Sequence, residues 1–373
     1  MHGNRKTRIG LLGLMTDGYE DTFPGILERQ KRYAQSIVNM FSNDIELVFE
    51  EIGTNRAKIE KITASYNAME LDGILIVLLA YSQGAWLLKA VQNNRLPLAV
   101  AVLQTDDEVA SSFNELDLTI NQGIHGAQDN CNILMRLGIP YQTYAGSRFD
   151  HRFREFIEDF ARAVRTKSEL AHMRIGTMGR MQGMGDILTD EVQLFEKLGV
   201  EICHDDLGCI YSRMQNLQEE EIQNVIEADR QEFSLDEKLT EESHWTAIKE
   251  YLGFKRYLED NHYDGFTAHF DMFGQDGRFR QLPLYAASKL MGEGYGYAAE
   301  GDVICAAMVR SANILSGMSS GFTEMYMMDA RTESILFCHA GEGNYKTAAA
   351  GRKPKLIDRF LGCLLYPSDA ADD

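Results

Sequence analysis

At 373 residues, 45% hydrophobic and 25% charged, the chain has the make-up of a globular protein with enough length for two or three domains. Its formal net charge of −19 disfavours nucleic acid and anionic membrane as partners, and a neutral small molecule fits that field without difficulty. Six cysteines, at positions 131, 203, 209, 305, 338 and 363, show no paired framework, so a reducing cytoplasm is the expected compartment.

The N-terminus runs Met-His-Gly-Asn-Arg-Lys-Thr-Arg into the apolar stretch Ile9 to Met15 and then Thr16-Asp17-Gly18. That pattern predicts a first β-strand, not a signal peptide. The longest apolar run, Gly73 to Ala80, is too short to span a bilayer, and no membrane partner is expected. Strands are predicted at 8–15, 45–53, 73–81 and 96–103, with amphipathic helices between them at 24–41 and 83–93 and a closing helix at 149–167. Continuous apolar strands separated by helices mean a parallel sheet covered on both faces. Gly10, Gly13 and Gly18 miss the offsets of the dinucleotide fingerprint, which argues against nicotinamide binding.

A second alternating unit begins at Arg174. Strands are expected at 174–179, 200–204 and 265–270, and helices at 219–230, 242–261 and after Pro283, a residue suited to a first helical turn. The glycine-rich loop 292–301 leads to a helix over 303–315 that Asp302 can cap. Glu300 thus precedes a helix N-terminus, where the dipole favours its ionised form, at the carboxyl edge of a sheet where open α/β folds place ligands. After Ser316 two strands, 321–328 and 332–338, flank the turn Asp329-Ala330-Arg331 and open a β-rich unit. The fold class expected is α/β: two sequential parallel-sheet, Rossmann-like domains over 1–170 and 171–316, then the start of a β domain over 317–362. The last stretch, 363–373, reads Cys-Leu-Leu-Tyr-Pro-Ser-Asp-Ala-Ala-Asp-Asp and resembles a translated library-preparation adapter. It is expected to be a non-native tail that cuts the third domain short.

Glu300, Glu324 and His339 sit on separate short segments within this late region. Two carboxylates and an imidazole are a ligand set that a hard-to-borderline cation such as Mn²⁺ accepts, and the two carboxylates also suit a general acid/base pair. The alternative is a pair of solvated glutamates, which are common. Cys203-His204 with Cys209 has no second ligand pair at zinc spacing and reads as buried thiols. Met178 and Met184 are cleft lining or core filler.

Several ordered motifs carry a resemblance from about Arg8 to His339. They are Asn121-Gln-Gly-Ile-His-Gly, Leu252-Gly-Phe-Lys-Arg-Tyr-Leu, Gln281-Leu-Pro and Gly294-Tyr-Gly-Tyr-Ala-Ala-Glu-Gly-Asp. On these the chain resembles the arabinose/fucose isomerase superfamily, and most closely its L-arabinose isomerases. The resemblance implies two α/β domains and a C-terminal β-barrel, assembled as a homotrimer or homohexamer. It implies a metal-dependent aldose–ketose isomerase, with Glu300 and Glu324 as ligands and acid/base pair and His339 as a third ligand to Mn²⁺ or another divalent cation. Gln122 and His125 match positions that reach a neighbouring subunit's sugar, and Phe270 an apolar wall of the pocket. A monosaccharide is the implied substrate: L-arabinose first, with L-fucose or D-arabinose as alternatives. A sugar-binding protein without catalysis is the alternative of another class. The chain departs from the family at Met325, where an acid is usual, at Ala340-Gly-Glu-Gly after His339, and at Met15-Thr-Asp-Gly-Tyr, a loop that helps choose the sugar.

Overall fold

In a computed structural model, which describes residues 5–41, 44–359 and 362–366, the chain divides into two compact units, Gly3–Ser168 and Glu169 onward. The strands of the first are β1 (Thr7–Leu14), β2 (Ile45–Val48), β3 (Gly73–Leu78), β4 (Leu98–Val102) and β5 (Tyr141–Ala145). They form one parallel sheet in the order β2-β1-β3-β4-β5. Successive residues point to opposite faces, so each apolar strand feeds two cores. Ile9, Leu11, Leu75, Val77, Ala99 and Ala101 meet the helices Ile26–Val38 and His151–Leu170 on one face. Leu12, Leu14, Ile74, Ile76 and Val100 pack with Ile59, Ile62, Tyr66 and Leu134 on the other. Helix His151–Leu170 buries Phe153, Ile157, Phe160, Ala161 and Val164, one apolar stripe at helical spacing.

Three expectations shift in this unit. The helix foreseen over 83–93 is a 3₁₀ turn, Gly84–Trp86, followed by a short helix, Leu88–Gln92. The Asp129 carboxylate accepts the Gly84 amide at 2.9 Å and holds the entry away from helical pairing. Helix Ile26–Val38 starts later than expected because Gly25, at φ 92°, turns the chain. Strand β5 was not foreseen: its Tyr-Gln-Thr-Tyr-Ala is polar and half-exposed, as an outer strand can be.

The second unit contains β6 (Arg174–Met178), β7 (Glu201–His204), β8 (Ser234–Leu235), β9 (Gly265–Ala268) and β10 (Gly296–Ala299). All but β8 form a parallel sheet in the order β10-β9-β6-β7. Its longest helix, Glu241–Asn261, buries Ala247, Ile248, Tyr251, Phe254, Tyr257 and Leu258. Beside it lies a buried polar knot. Asp229 accepts from Tyr285, faces His244 at 2.8 Å and pairs with Lys289 at 3.1 Å, while Lys289 also reaches Glu232 at 2.7 Å. Each charge there has a partner, as burial of charge requires.

Beyond helix Val303–Ser316 come β11 (Glu324–Asp329) and β12 (Ser334–Cys338), an antiparallel hairpin with a register shift between Met325 and Met327. Then β13 (Lys355–Arg359) pairs antiparallel with β14 (Gly362–Tyr366) and parallel with β8. Among the described residues these strands close no barrel. Of the stretch expected to be a non-native tail, 363–366 belongs to β14, and 367–373 lies outside the described residues. No helix among the described residues is long and apolar enough to cross a membrane.

Candidate active site

The carboxyl edge of the second sheet is assembled by backbone hydrogen bonds between three loops. Where β10 ends, Glu300 donates its amide to Ala268 O at 3.0 Å and accepts from the Met181 amide at 2.7 Å. Gly301 donates to Thr267 Oγ1 at 3.0 Å, and Arg180 Nε reaches Gly301 O at 3.4 Å. Glu300 itself has φ 66°, the left-handed region that a residue with a Cβ seldom occupies. Such a conformation costs on the order of 1–3 kcal/mol and persists where neighbours over-determine it, commonly at functional sites. Gly301, at φ 94°, is glycine for a second reason: a Cβ there would stand 2.4 Å from Arg180 Cα. Asp302 then caps helix Val303–Ser316 by accepting the Cys305 amide at 2.9 Å.

Glu324 opens β11 and pairs in register with Cys338, the last residue of β12, so His339 follows directly beside it. His339 Nε2 lies 3.8 Å from Glu324 Oε2, beyond direct hydrogen-bond range, and the imidazole is only 6% exposed against 38% for Glu324. The ring stacks with Phe270 at 6.0 Å between centroids and meets Phe322 edge-on at 5.1 Å. Phe270 does not end a strand as expected; β9 stops at Ala268, His269 caps, and Phe270 opens helix Phe270–Asp276.

Electrostatics ties the three predicted residues together. Burial raises the Glu300 carboxyl above its ordinary range, the Glu324 charge adds to that, and His339 partly offsets both. Burial lowers the His339 imidazole, but the carboxylates of Glu342, Glu324 and Glu300 outweigh it, and the net shift is upward. Among the described residues, however, no group of three or more His, Cys, Asp or Glu side chains is gathered closely enough to hold a metal ion. The donor types suit a divalent cation such as Mn²⁺ while their spacing is open. Met178 is wholly buried in the core, which settles its alternatives in favour of packing.

In the first unit, Gln122 and His125 sit at the start of helix Gly123–Arg136, beyond the ends of β3 and β4. Gly123 lets the helix press there, because a Cβ would lie 2.4 Å from Leu103 O. The Tyr19 hydroxyl donates to Gln122 Oε1 at 3.1 Å, and the Tyr81 ring lies 4.7 Å from the exposed imidazole of His125. Tyr81 donates in turn to Asp129 Oδ2 at 3.0 Å. Tyr19 and Tyr81 carry no motif of their own. What a sequence does offer is their place just past the first and third strands, where ligands of such sheets bind.

Two other members of the second-unit site escaped the sequence. Glu342 faces His339 Nδ1 at 2.5 Å through Oε1, which also accepts from the Tyr297 hydroxyl at 3.2 Å. The three-residue spacing from His339 to Glu342 was available, but a lone spacing of this kind is weak evidence. Tyr297 lies within β10 and reads as core.

Comparison with known proteins places both units in one family. Family models described as the L-arabinose isomerase N-terminal and central domains match residues 19–172 and 174–318. L-arabinose isomerase of Phocaeicola vulgatus is 26% identical over 343 residues, covering 88% of this chain and 67% of its own. That of Geobacillus thermodenitrificans is 26% identical over 334 residues, covering 84% and 66%. L-arabinose isomerase 2 of Clostridium acetobutylicum is 24% identical over 356 residues, covering 90% and 71%. The chain therefore spans about two thirds of the length of the curated relatives it matches. Among solved structures, a solute-binding protein from Agrobacterium vitis bound with α-D-tagatopyranose aligns at 11% identity over 84% of this chain and 90% of its own, with a TM-score of 0.20, too slight a likeness to bear on function. With both family models matching in chain order, over 19–172 and 174–318, the chain belongs to the L-arabinose isomerase family.

Proposed function

We propose that this protein is a cytoplasmic, metal-dependent aldose–ketose isomerase, with L-arabinose to L-ribulose as its reaction. The observation that carries this reading is Glu300, a strained and half-buried carboxyl within electrostatic reach of Glu324 and His339. Glu324, His339 and Glu300 are the residues that would hold a divalent cation such as Mn²⁺. When bound, it supplies Lewis-acid polarisation of adjacent sugar oxygens.

The carboxylates move the protons. In the aldose, C2 carries a hydrogen and a hydroxyl next to the C1 carbonyl. One carboxylate takes the C2 proton and the carbonyl oxygen gains one, giving a cis-enediol. The O2 hydroxyl then loses its proton as C1 gains one, so C1–H and O1–H replace C2–H and O2–H. Burial pushes the Glu300 pKa upward, which strengthens it as a proton acceptor, the role a general base needs. Phe270 and Phe322 flank His339 and help exclude water from the reacting carbons. Gln122 and His125 would reach the sugar from a neighbouring copy, in a homotrimer or homohexamer.

The test is a sugar panel. The 373-residue protein is incubated with L-arabinose, L-fucose and D-arabinose, with and without Mn²⁺, and ketose formation is followed. L-ribulose from L-arabinose, dependent on Mn²⁺, is expected. Preferential conversion of another sugar moves the substrate assignment. Sugar binding with no ketose from any of the three overturns the enzyme reading in favour of a sugar-binding protein.

A further inference from the structure

We propose that Glu342 is the positioning residue of His339: it fixes the imidazole with its hydrogen on Nδ1, leaving Nε2 unprotonated with its lone pair on the side of Glu324. The inference rests on the isomerase reading above and adds to it a residue that reading does not use, from the segment Ala340-Gly341-Glu342-Gly343.

The geometry has three parts. Glu342 Oε1 stands 2.5 Å from His339 Nδ1, and a carboxylate oxygen there accepts, so the hydrogen belongs on Nδ1. The same oxygen accepts from Tyr297 at 3.2 Å, and Tyr297 is itself locked by the rings of Phe266 at 5.2 Å and Phe322 at 6.3 Å. Phe270 and Phe322 then grip the imidazole. Rotation about the ring axis is closed off from both sides.

The segment carrying Glu342 is equally fixed. Ser288 Oγ donates to Gly343 O and accepts the Tyr345 amide at 3.2 Å. Asn344 Nδ2 donates to Ser320 O at 2.7 Å. Glu342 is fully buried, yet among the described residues its second oxygen, Oε2, has no hydrogen-bond partner. A buried oxygen left unsatisfied is costly, so the carboxylate is not explained by its own contribution to stability. An outer carboxylate that orients a histidine toward a cation is the role that accounts for it, because such a partner sets both tautomer and ring direction.

The experiment combines the tautomer of His339 with Mn²⁺ affinity in the 373-residue protein. Long-range ¹H–¹⁵N spectra of histidine-labelled protein, with His339→Gln to assign the signal, should show Nδ1 protonated and Nε2 bare. Glu342→Leu should shift His339 toward the Nε2-protonated form and weaken Mn²⁺ binding, read by electron paramagnetic resonance, by about 10–100-fold. Glu342→Asp should fall between, and Tyr297→Phe should give a smaller loss with the tautomer retained. If Glu342→Leu fails to fold, Glu342→Gln takes its place: it keeps an acceptor, so the tautomer should survive while Mn²⁺ affinity drops. A folded Glu342→Leu with the wild-type tautomer overturns the proposal. So does a shifted tautomer with unchanged Mn²⁺ affinity, or a Glu342→Gln with unchanged affinity. Wild-type protein that binds Mn²⁺ no better than His339→Gln and converts no sugar overturns the isomerase reading, and the tautomer comparison still decides what Glu342 does to His339.

Discussion

The backbone amide of Met181 donates to the carbonyl of Glu300 at 2.7 Å, and this bond joins the loop after β6 to the loop after β10. It fixes a residue whose φ of 66° its side chain would not choose. Gly301 makes the approach of the two loops possible, since a Cβ there would meet Arg180 Cα at 2.4 Å and Gly179 O at 2.7 Å, both backbone atoms that cannot swing aside. Gly301→Ala should therefore push the loops apart, costing roughly 1–3 kcal/mol in stability through strain at positive φ. Turnover should fall by more than that stability loss explains, because Glu300 moves. Urea unfolding with sugar conversion on the same preparation checks both; an unchanged turnover would mean that the loop contact does not set the position of Glu300.

Glu300→Gln separates chemistry from fold. The variant keeps the shape and the backbone hydrogen bonds of the loop, so unfolding curves should match wild type closely. Isomerisation should fall at least ~10²-fold, the usual size of an acid/base contribution. Near-normal conversion would reassign Glu300 to a structural role.

The sheets were legible in the sequence because each buried parallel strand is a continuous apolar run bounded by turn residues, as in Gly73–Leu78. Strand β5 was not, since Tyr141 to Ala145 alternates polar residues and borrows its conformation from β4. Phe270 went to a strand because nothing in Thr-Ala-His-Phe announces a cap, yet His269 Nδ1 accepts the Asp271 amide at 3.0 Å and starts a helix. Glu300, Glu324 and His339 were singled out by residue type, by glycine and aromatic neighbours and by the family resemblance, whereas the approach of His339 to Glu324 depends on a hairpin register no local pattern specifies. Glu342 and Tyr297 stayed hidden for the same reason: 45 residues separate them, and only the fold brings them together.

Asp72 supplies a pH dependence in the first unit. Its side chain, 1% exposed, takes Arg5 through two nitrogens at 2.7 and 2.8 Å and the Arg8 amide at 2.8 Å. Burial pushes its carboxyl up, but the Arg5 hydrogen bonds and the Arg8 amide outweigh burial, and the pKa ends below its ordinary value. A depressed pKa contributes stability above the unfolded value, about 3.9, that is lost as pH falls through the folded value. Asp72→Asn should cost about 1.5–3 kcal/mol at pH 7, the worth of hydrogen bonds to a charged group, with the gap to wild type closing as pH falls below ~4. Urea unfolding across that range measures it, and a gap that stays constant would remove Asp72 as the titrating group.

The hairpin β11–β12 exposes Met325, Met327, Met328, Leu336 and Phe337, each at least 44% accessible. A two-stranded ribbon with open edges and apolar side chains is prone to self-pairing. Replacing Met327 with Lys and Leu336 with Thr, away from Glu324 and His339, should lower self-association in light scattering without shifting the unfolding midpoint. Equal scattering from the variant and wild type would place the association elsewhere on the surface.

Glu250 is a residue the fold would be more stable without. It lies on helix Glu241–Asn261, 1% exposed, and among the described residues neither carboxyl oxygen has a hydrogen-bond partner. Burial holds its pKa well above the ordinary carboxylate value. The sign is opposite to that of Asp72. The unfolded chain releases this proton near pH ~4.3, while the folded chain retains it to higher pH, so stability falls as pH rises through that interval. Glu250→Met keeps length and helix propensity and removes the unsatisfied oxygens. It should stabilise the protein by about 1–3 kcal/mol at neutral pH, the cost of burying an unpaired polar group, and the advantage should shrink toward pH ~4. Urea unfolding of both forms at several pH values reads the difference directly. A destabilised Glu250→Met, or a gain independent of pH, would show that the Glu250 carboxyl is satisfied in solution and contributes to the packing of the helix.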